Sequence, residues 1–481
     1  MRIKKSVFCL ISFFLIIAVL FQVIFIVINL FHANDNINFA MFINNYIIGF
    51  LIIGCLFFNG ASSHFLAIAF FGCYMLFLMG QKPFKPEYDV FLTFVRLKLD
   101  TTQYFVFSCV LFLGLVCTYY SYMYMQKICK IKILPHNNYN YGNNNYFKVL
   151  LTIILLVTLP CAFYMQAKIV LVRSELTYVS GYLINVDVPL IIKVGYYIYS
   201  TVVLLYLALK PAKWQLCFVL GTYIVIEGGM QLFQGRRALF AATILFAIWY
   251  LLKYIDDIKI KRKSIVIIGI VLATMVVLFY IVEQMRDSSN TGLTSQFLQR
   301  FFISTGGSDS VIANTIYRKN DFTASGITYL LDPFINNPIG NMLLDNTTSA
   351  QGLTYLEQHN SFSHWLSYMT DEALYTSGHG MGSSYLAETY LAFGTFGVAF
   401  VSVIIGWIIR LLNNIEFNNN LFKIGLVFFL VRYVFTLPRA GLFSCVSGLV
   451  YLIFTCMLIY PFYNMWRKND NILSYRKGSS N

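Results

Sequence analysis

Ser377-Gly-His-Gly-Met-Gly-Ser-Ser384, followed from Tyr385 by a long apolar run, is the stretch on which the reading of this chain turns. It closes a polar, mixed segment, Glu283 to Ser384, that holds Arg286, Arg300, Arg318, His359, His364 and His379 and lies between long apolar segments. Glycines on either side of His379 let the backbone there come close to a ligand. Almost everything else reads as membrane span or short connection, which makes this segment and the helix ends beneath it the expected place for chemistry.

Working outward, 58% hydrophobic and only 12% charged residues, with a mean hydropathy of +0.66, exclude a soluble domain. Apolar runs of roughly 17 to 25 residues begin near Ser6, Phe42, Ser63, Tyr104, Phe147, Val188, Trp214, Arg237, Ser264, Tyr385, Leu421 and Phe443. The expected fold is all-α: a polytopic membrane protein of about 12 transmembrane helices. Spans one to nine fall in 1–282, the large loop between spans nine and ten in 283–384, spans ten to twelve in 385–466, and a tail in 467–481.

The first run follows Met-Arg-Ile-Lys-Lys and ends without a small-residue cleavage site, so it is expected to be retained as a helix. With the N-terminus cytoplasmic, alternation places Lys127, Lys130 and Lys132, Lys210 and Lys213, Lys253 to Lys263, and Arg467 to Lys477 inside, as the positive-inside rule requires. Both termini are then cytoplasmic and the loop 283–384 periplasmic. The inner side carries roughly +16 and the outer roughly −2 of the formal +14, so the basic character is a topology signal. Nothing points to nucleic acid. The cysteines lie in or near spans or in an inner loop, so neither a disulfide framework nor a cysteine metal site is suggested.

Two connections carry expectations of their own. The outer loop 80–103 contains the amphipathic Val90 to Leu99 and is expected to lie along the membrane surface, its basic residues on lipid phosphates. Ile327 to Leu344, interrupted by Pro333 and Pro338, is expected to form short helices over the bundle.

Charges inside spans are costly and mark functional cavities or pairs. In this topology Lys193, Glu227, Arg236, Arg237, Glu283, Arg286, Glu388 and Arg432 fall in or at the outer halves of their helices, with Arg439 in an outer turn. Such one-sided clustering implies a polar cavity opening outward. A transporter would need similar lining at the midplane and often matching halves, and neither is visible. Arginine-rich cavities favour phosphate or pyrophosphate, because a guanidinium donates two parallel hydrogen bonds and stays charged. For the adjacent Arg236 and Arg237, snorkelling to outer-leaflet phosphates is the competing explanation.

Several stretches resemble the O-antigen polysaccharide polymerase (Wzy-type) family, related to the enterobacterial common antigen polymerase and the O-antigen ligase. Gly235-Arg236-Arg237 is similar to the family's Gly-x-Arg. Gly380-Met-Gly-Ser-Ser-Tyr-Leu-Ala-Glu388, continuing to Phe393-Gly394-Thr-Phe-Gly397, resembles its Gly-x-Gly-x-Ser, Glu and Phe-Gly-x-x-Gly, and Pro438-Arg439-Ala-Gly441 precedes the last span.

The resemblance implies block transfer of an undecaprenyl-pyrophosphate-linked glycan onto the next lipid-linked repeat unit, at the periplasmic face of a bacterial inner membrane. No cofactor and no metal is implied. The partners would be the lipid-linked oligosaccharides, membrane lipids and, as a candidate, a chain-length-determinant protein. That chemistry needs cations on the departing pyrophosphate, for which Arg237, Arg439, Arg236, Arg286, Arg300 and Arg173 are the candidates in that order. It also needs a base for the acceptor hydroxyl, with His379 first, His364 second and Glu388 third, unless Glu388 orients an arginine instead. The alternatives are an O-antigen ligase passing glycan to lipid A core, and a polysaccharide flippase or other transporter.

Overall fold

The computed structural model describes residues 2–81, 88–90, 95–128, 145–175, 183–184, 186–254, 274, 277–278, 301–302, 305–343, 351–414 and 421–478. The expected ninth span from Ser264 falls almost wholly outside them, as do Arg286 and Arg300. Nine helices among the described residues are long and apolar enough to cross a membrane. The protein is therefore a polytopic, helical membrane protein.

In chain order the helices are α1 (Arg2–Phe31), α2 (Asp35–Gly60), α3 (Phe65–Leu78), α4 (Thr101–Ile128), α5 (Asn145–Glu175), α6 (Leu190–Ala208), α7 (Lys213–Tyr223), α8 (Met230–Phe233) and α9 (Arg237–Tyr254). Within the polar segment come α10 (Ser308–Tyr317), α11 (Gly326–Ile335), α12 (Pro338–Leu343), α13 (Leu353–Gln358), α14 (Phe362–Thr370) and α15 (Glu372–Thr376), followed by α16 (Tyr385–Asn414), α17 (Leu421–Thr436) and α18 (Val446–Gly478). Short helices do cover the bundle as expected, although Pro333 lies inside α11 rather than ending it.

The connection after α3 contains a short hairpin. Tyr88–Val90 and Val95–Leu97 pair as an antiparallel hairpin, so part of the expected surface-lying Val90 to Leu99 is extended. Alternating side chains of a short strand pair can mimic an amphipathic stripe.

Helix α3 is the centre of the bundle: most of its residues are buried, and it packs against α9, α10, α16, α17 and the turn after α17. Its 14 residues rise about 21 Å, short of a hydrocarbon core of about 30 Å. The shortfall is filled from the polar segment. A Cβ on Gly306 would stand 2.5 Å from the Gln81 backbone nitrogen, so only glycine lets the two chains meet there. Residues 79–81, just beyond α3, are buried as a result.

Small residues also bring α16 onto α4, where a Cβ on Gly406 would stand 2.2 Å from the Thr118 carbonyl and Ser121 donates to the Val403 carbonyl at 2.6 Å. Near its start α16 is interrupted at Gly394, whose φ of 65° and ψ of −159° are not helical. The Phe-Gly-x-x-Gly stretch therefore makes a break that lets the first turns of α16 point into the polar layer.

Between α7 and α8 the run Ile224–Gly229 is π-helical and holds Glu227. Its carboxylate pairs with Arg432 of α17 at 3.1 Å and accepts from Ser200 of α6, while the Arg432 guanidinium lies 5.4 Å from the Tyr223 ring centroid. This pair accounts for two of the intramembrane charges without invoking a substrate, because each charge supplies the other's counter-ion.

Candidate active site

Two of the arginine-bearing turns stand near the last turn of α3. On one side stands the tight turn between α8 and α9. Gly235 takes a φ of 79°, a left-handed conformation suited to glycine, and the Arg236 N–H returns to the Gln231 carbonyl at 2.9 Å. That turn gives the two consecutive arginines different fates: Arg236 is exposed, whereas Arg237, at the start of α9, is only 5% exposed. Snorkelling suits Arg236, but not a buried Arg237. Arg173, ranked last from sequence, reaches the same turn and donates to the Gln234 carbonyl at 3.4 Å. Beneath it, Gln231 and Gln234 both donate to Gln166 of α5, at 3.3 and 2.6 Å. These amides escaped the sequence reading, although glutamines within apolar runs were a signal for them.

On another side Arg439 closes the short 3-10 turn Leu437–Arg439, with its guanidinium 5.8 Å from the Phe77 ring centroid of α3. Leu76, beside Phe77, packs with Phe240 and Ala241 of α9. The end of α3 thus links the helix that starts with Arg237 to the turn that carries Arg439.

Glu388 joins the last two motifs. Ser383 donates to its Oε1 at 2.7 Å and the Leu442 N–H donates to its Oε2 at 2.8 Å. A Cβ on Gly441 would lie 2.3 Å from Oε1, so glycine is what allows the turn to reach the carboxylate. Tyr433 of α17 holds the same turn through the Gly441 and Leu442 carbonyls. Both Glu388 oxygens are thus engaged, and the residue is only 8% exposed.

His379 is half-buried on the loop before α16, its own carbonyl held by Gln351 at 2.7 Å. The Ser377 hydroxyl lies 2.9 Å from His379 Nδ1 and 2.8 Å from the Leu374 carbonyl. The hydroxyl's one hydrogen can serve either acceptor, so the contact positions the ring without fixing its tautomer. The following residues are tied to α14, where the Met381 N–H donates to Ser367 at 3.0 Å.

His364 sits in a separate stack, its ring 4.2 Å from Tyr355, which stacks on His359 at 4.3 Å. His364 Nδ1 is 3.1 Å from the Tyr375 hydroxyl. Burial, and then His359, push His364 down to about 4, leaving it neutral and a weak base at neutral pH. His359, missed as a site residue, is 3% exposed with no hydrogen-bond partner for either ring nitrogen among the described residues. Nearby, burial raises Asp332 above the usual carboxylate range, offset in part by donors from Asn336 and the Asn360 N–H.

The His364 value sets a pH dependence. As pH falls below 6.5 the unfolded segment takes up a proton that the folded one refuses until about 4, so stability is lost through that window. The thermal midpoint of the purified protein should therefore drop from about pH 7 to about pH 5 more steeply than that of His364→Asn. Equal slopes would remove His364 as a cause.

Among the described residues no group of His, Cys, Asp and Glu is placed to hold a metal ion. What the fold and these contacts define is a polytopic membrane protein in which the loop bearing His379 is tied through Glu388 to the turn that follows Arg439. The chain belongs to the O-antigen polysaccharide polymerase Wzy family, whose model matches residues 8–470. That match makes it an integral inner-membrane, glycosyltransferase-like polymerase of lipid-linked repeat units. No curated protein and no solved structure matches the chain.

Proposed function

We propose that the protein extends a glycan carried on undecaprenyl pyrophosphate by transferring it, as a block, to a hydroxyl of the next lipid-linked repeat unit at the periplasmic face. Negative charge grows on the leaving pyrophosphate, and Arg237 and Arg439 stabilise it, with Arg173 at the rim. His379 takes the acceptor proton, its ring positioned by Ser377 at Nδ1. Both termini lie in the cytoplasm, and the sugar–pyrophosphate bond supplies the energy.

The observation that carries this reading is the contact at Glu388, where the loop bearing His379 is fastened to the turn bearing Arg439. A base and an anion-binding cation are thereby kept in one layer although their motifs lie far apart in the chain. His379→Ala should abolish polymer or cut it strongly, by about 100-fold or more, while the protein remains in the membrane. Near-normal polymer from that variant would remove His379 from the base role.

A further inference from the structure

Below the arginine turn, α5 and the α7 run part to leave a groove of about 590 Å³, within the range of ligand clefts. Leu159, Pro160 and Phe163 form one wall, and Phe218, Gly221 and Val225 belong to the other. Both walls show why the gap exists. Pro160 lacks the backbone donor that a helix interior requires, and a Cβ on Gly221 would meet nothing within 4 Å. Phe163, Phe218 and Val225 remain 51%, 45% and 53% exposed in the hydrophobic belt, so the groove opens toward lipid and takes a hydrocarbon.

The same two elements carry the polar layer. Gln166 follows Phe163 by one turn and receives Gln231 and Gln234, while Arg173, about 15 Å above Phe163 along α5, reaches the turn that leads into Arg237. The groove itself is apolar, and the amides and arginines stand further along the same two elements, an order that matches a molecule with a hydrocarbon chain and an anionic head. The π-helical run borders the slot through Val225, and its next turns lead straight to Gln231.

We propose that this groove holds the polyprenyl chain of the lipid-linked substrate, with its phosphate end at the Arg173–Gln234–Arg237 turn. The assignment rests on the reading of the chain as a polymerase of lipid-linked repeats. A methyl-branched isoprenoid fills a wide slot between aromatic walls more completely than a straight acyl chain does.

The test uses the purified full-length protein in nanodiscs and a polyprenyl pyrophosphate bearing a photoreactive group in its chain. Labelling should map to peptides containing Phe163, Phe218 or Val225 and should fall at least about tenfold in Gly221→Leu, which fills the open space. Val225→Trp, on the neighbouring turn, should do the same should Gly221→Leu give too little folded protein. Unlabelled polyprenyl phosphate should compete, and phosphatidylglycerol should not. Labelling elsewhere, labelling indifferent to both variants, or equal competition by phosphatidylglycerol would overturn the proposal. Because labelling needs no turnover, a protein that labels as expected yet makes no polymer would sink the polymerase reading and leave the groove standing. One that polymerises without groove labelling would do the reverse.

Discussion

Gly441→Ala is expected to lower polymer formation at least about tenfold, because the added methyl displaces the one turn that meets Glu388. A Cβ 2.3 Å from a carboxylate oxygen cannot be accommodated, and neither neighbour is free to give way. Glu388 is fixed by Ser383 and the Leu442 N–H, and the turn is held by Tyr433. Leaving a buried hydrogen-bonding group unsatisfied costs about 1–3 kcal/mol, enough for the expected drop if about 1.4 kcal/mol of it reaches the transition state. Glu388→Gln should have a similar effect, since an amide nitrogen cannot accept one of the two bonds. The double variant should be little worse than either single one, because both break the same contact. Full additivity at matched protein level would show that the contact is not shared.

The second large effect concerns Arg237. It opens α9, where the helix dipole already favours an anion, and its burial removes the competition of bulk water. Arg237→Lys keeps the charge but loses the planar fork, so polymer should fall at least about tenfold, equivalent to about 1.4 kcal/mol of transition-state stabilisation. Arg236→Lys, one residue earlier and exposed, should be nearly silent. Equal tolerance of lysine at both positions would contradict the pyrophosphate role of Arg237.

Much of the fold was legible because bilayer length and hydropathy are local properties. The expected helix starts at Arg237 and Tyr385 coincide with those observed, each marked by a polar residue or a loop just before an apolar run. The shortness of α3 was not legible, since Met79 and Gly80 continue its apolar run and only the approach of Gly306 explains why the helix stops. The break at Gly394 and the π-helical run at Ile224–Gly229 are likewise backbone choices made by packing across helices.

At the site, residue types pointed to Arg237, Arg439 and His379, whereas the joints were invisible. Glu388 meets Leu442 across 54 positions, and Arg173 meets Gln234 across 61. No periodicity within either stretch encodes those distances. Sequence also could not divide Arg236 from Arg237, because a single left-handed glycine decides which of them turns inward.

The most direct test of the account is the lipopolysaccharide profile of a strain lacking this chain, separated by size and silver-stained alongside a strain carrying it. The account predicts loss of the long-chain ladder with single repeat units still attached to core, and restoration of the ladder by the wild-type chain but not by Arg237→Lys. An unchanged ladder, or polymer accumulating on the lipid carrier with none on core, would contradict it.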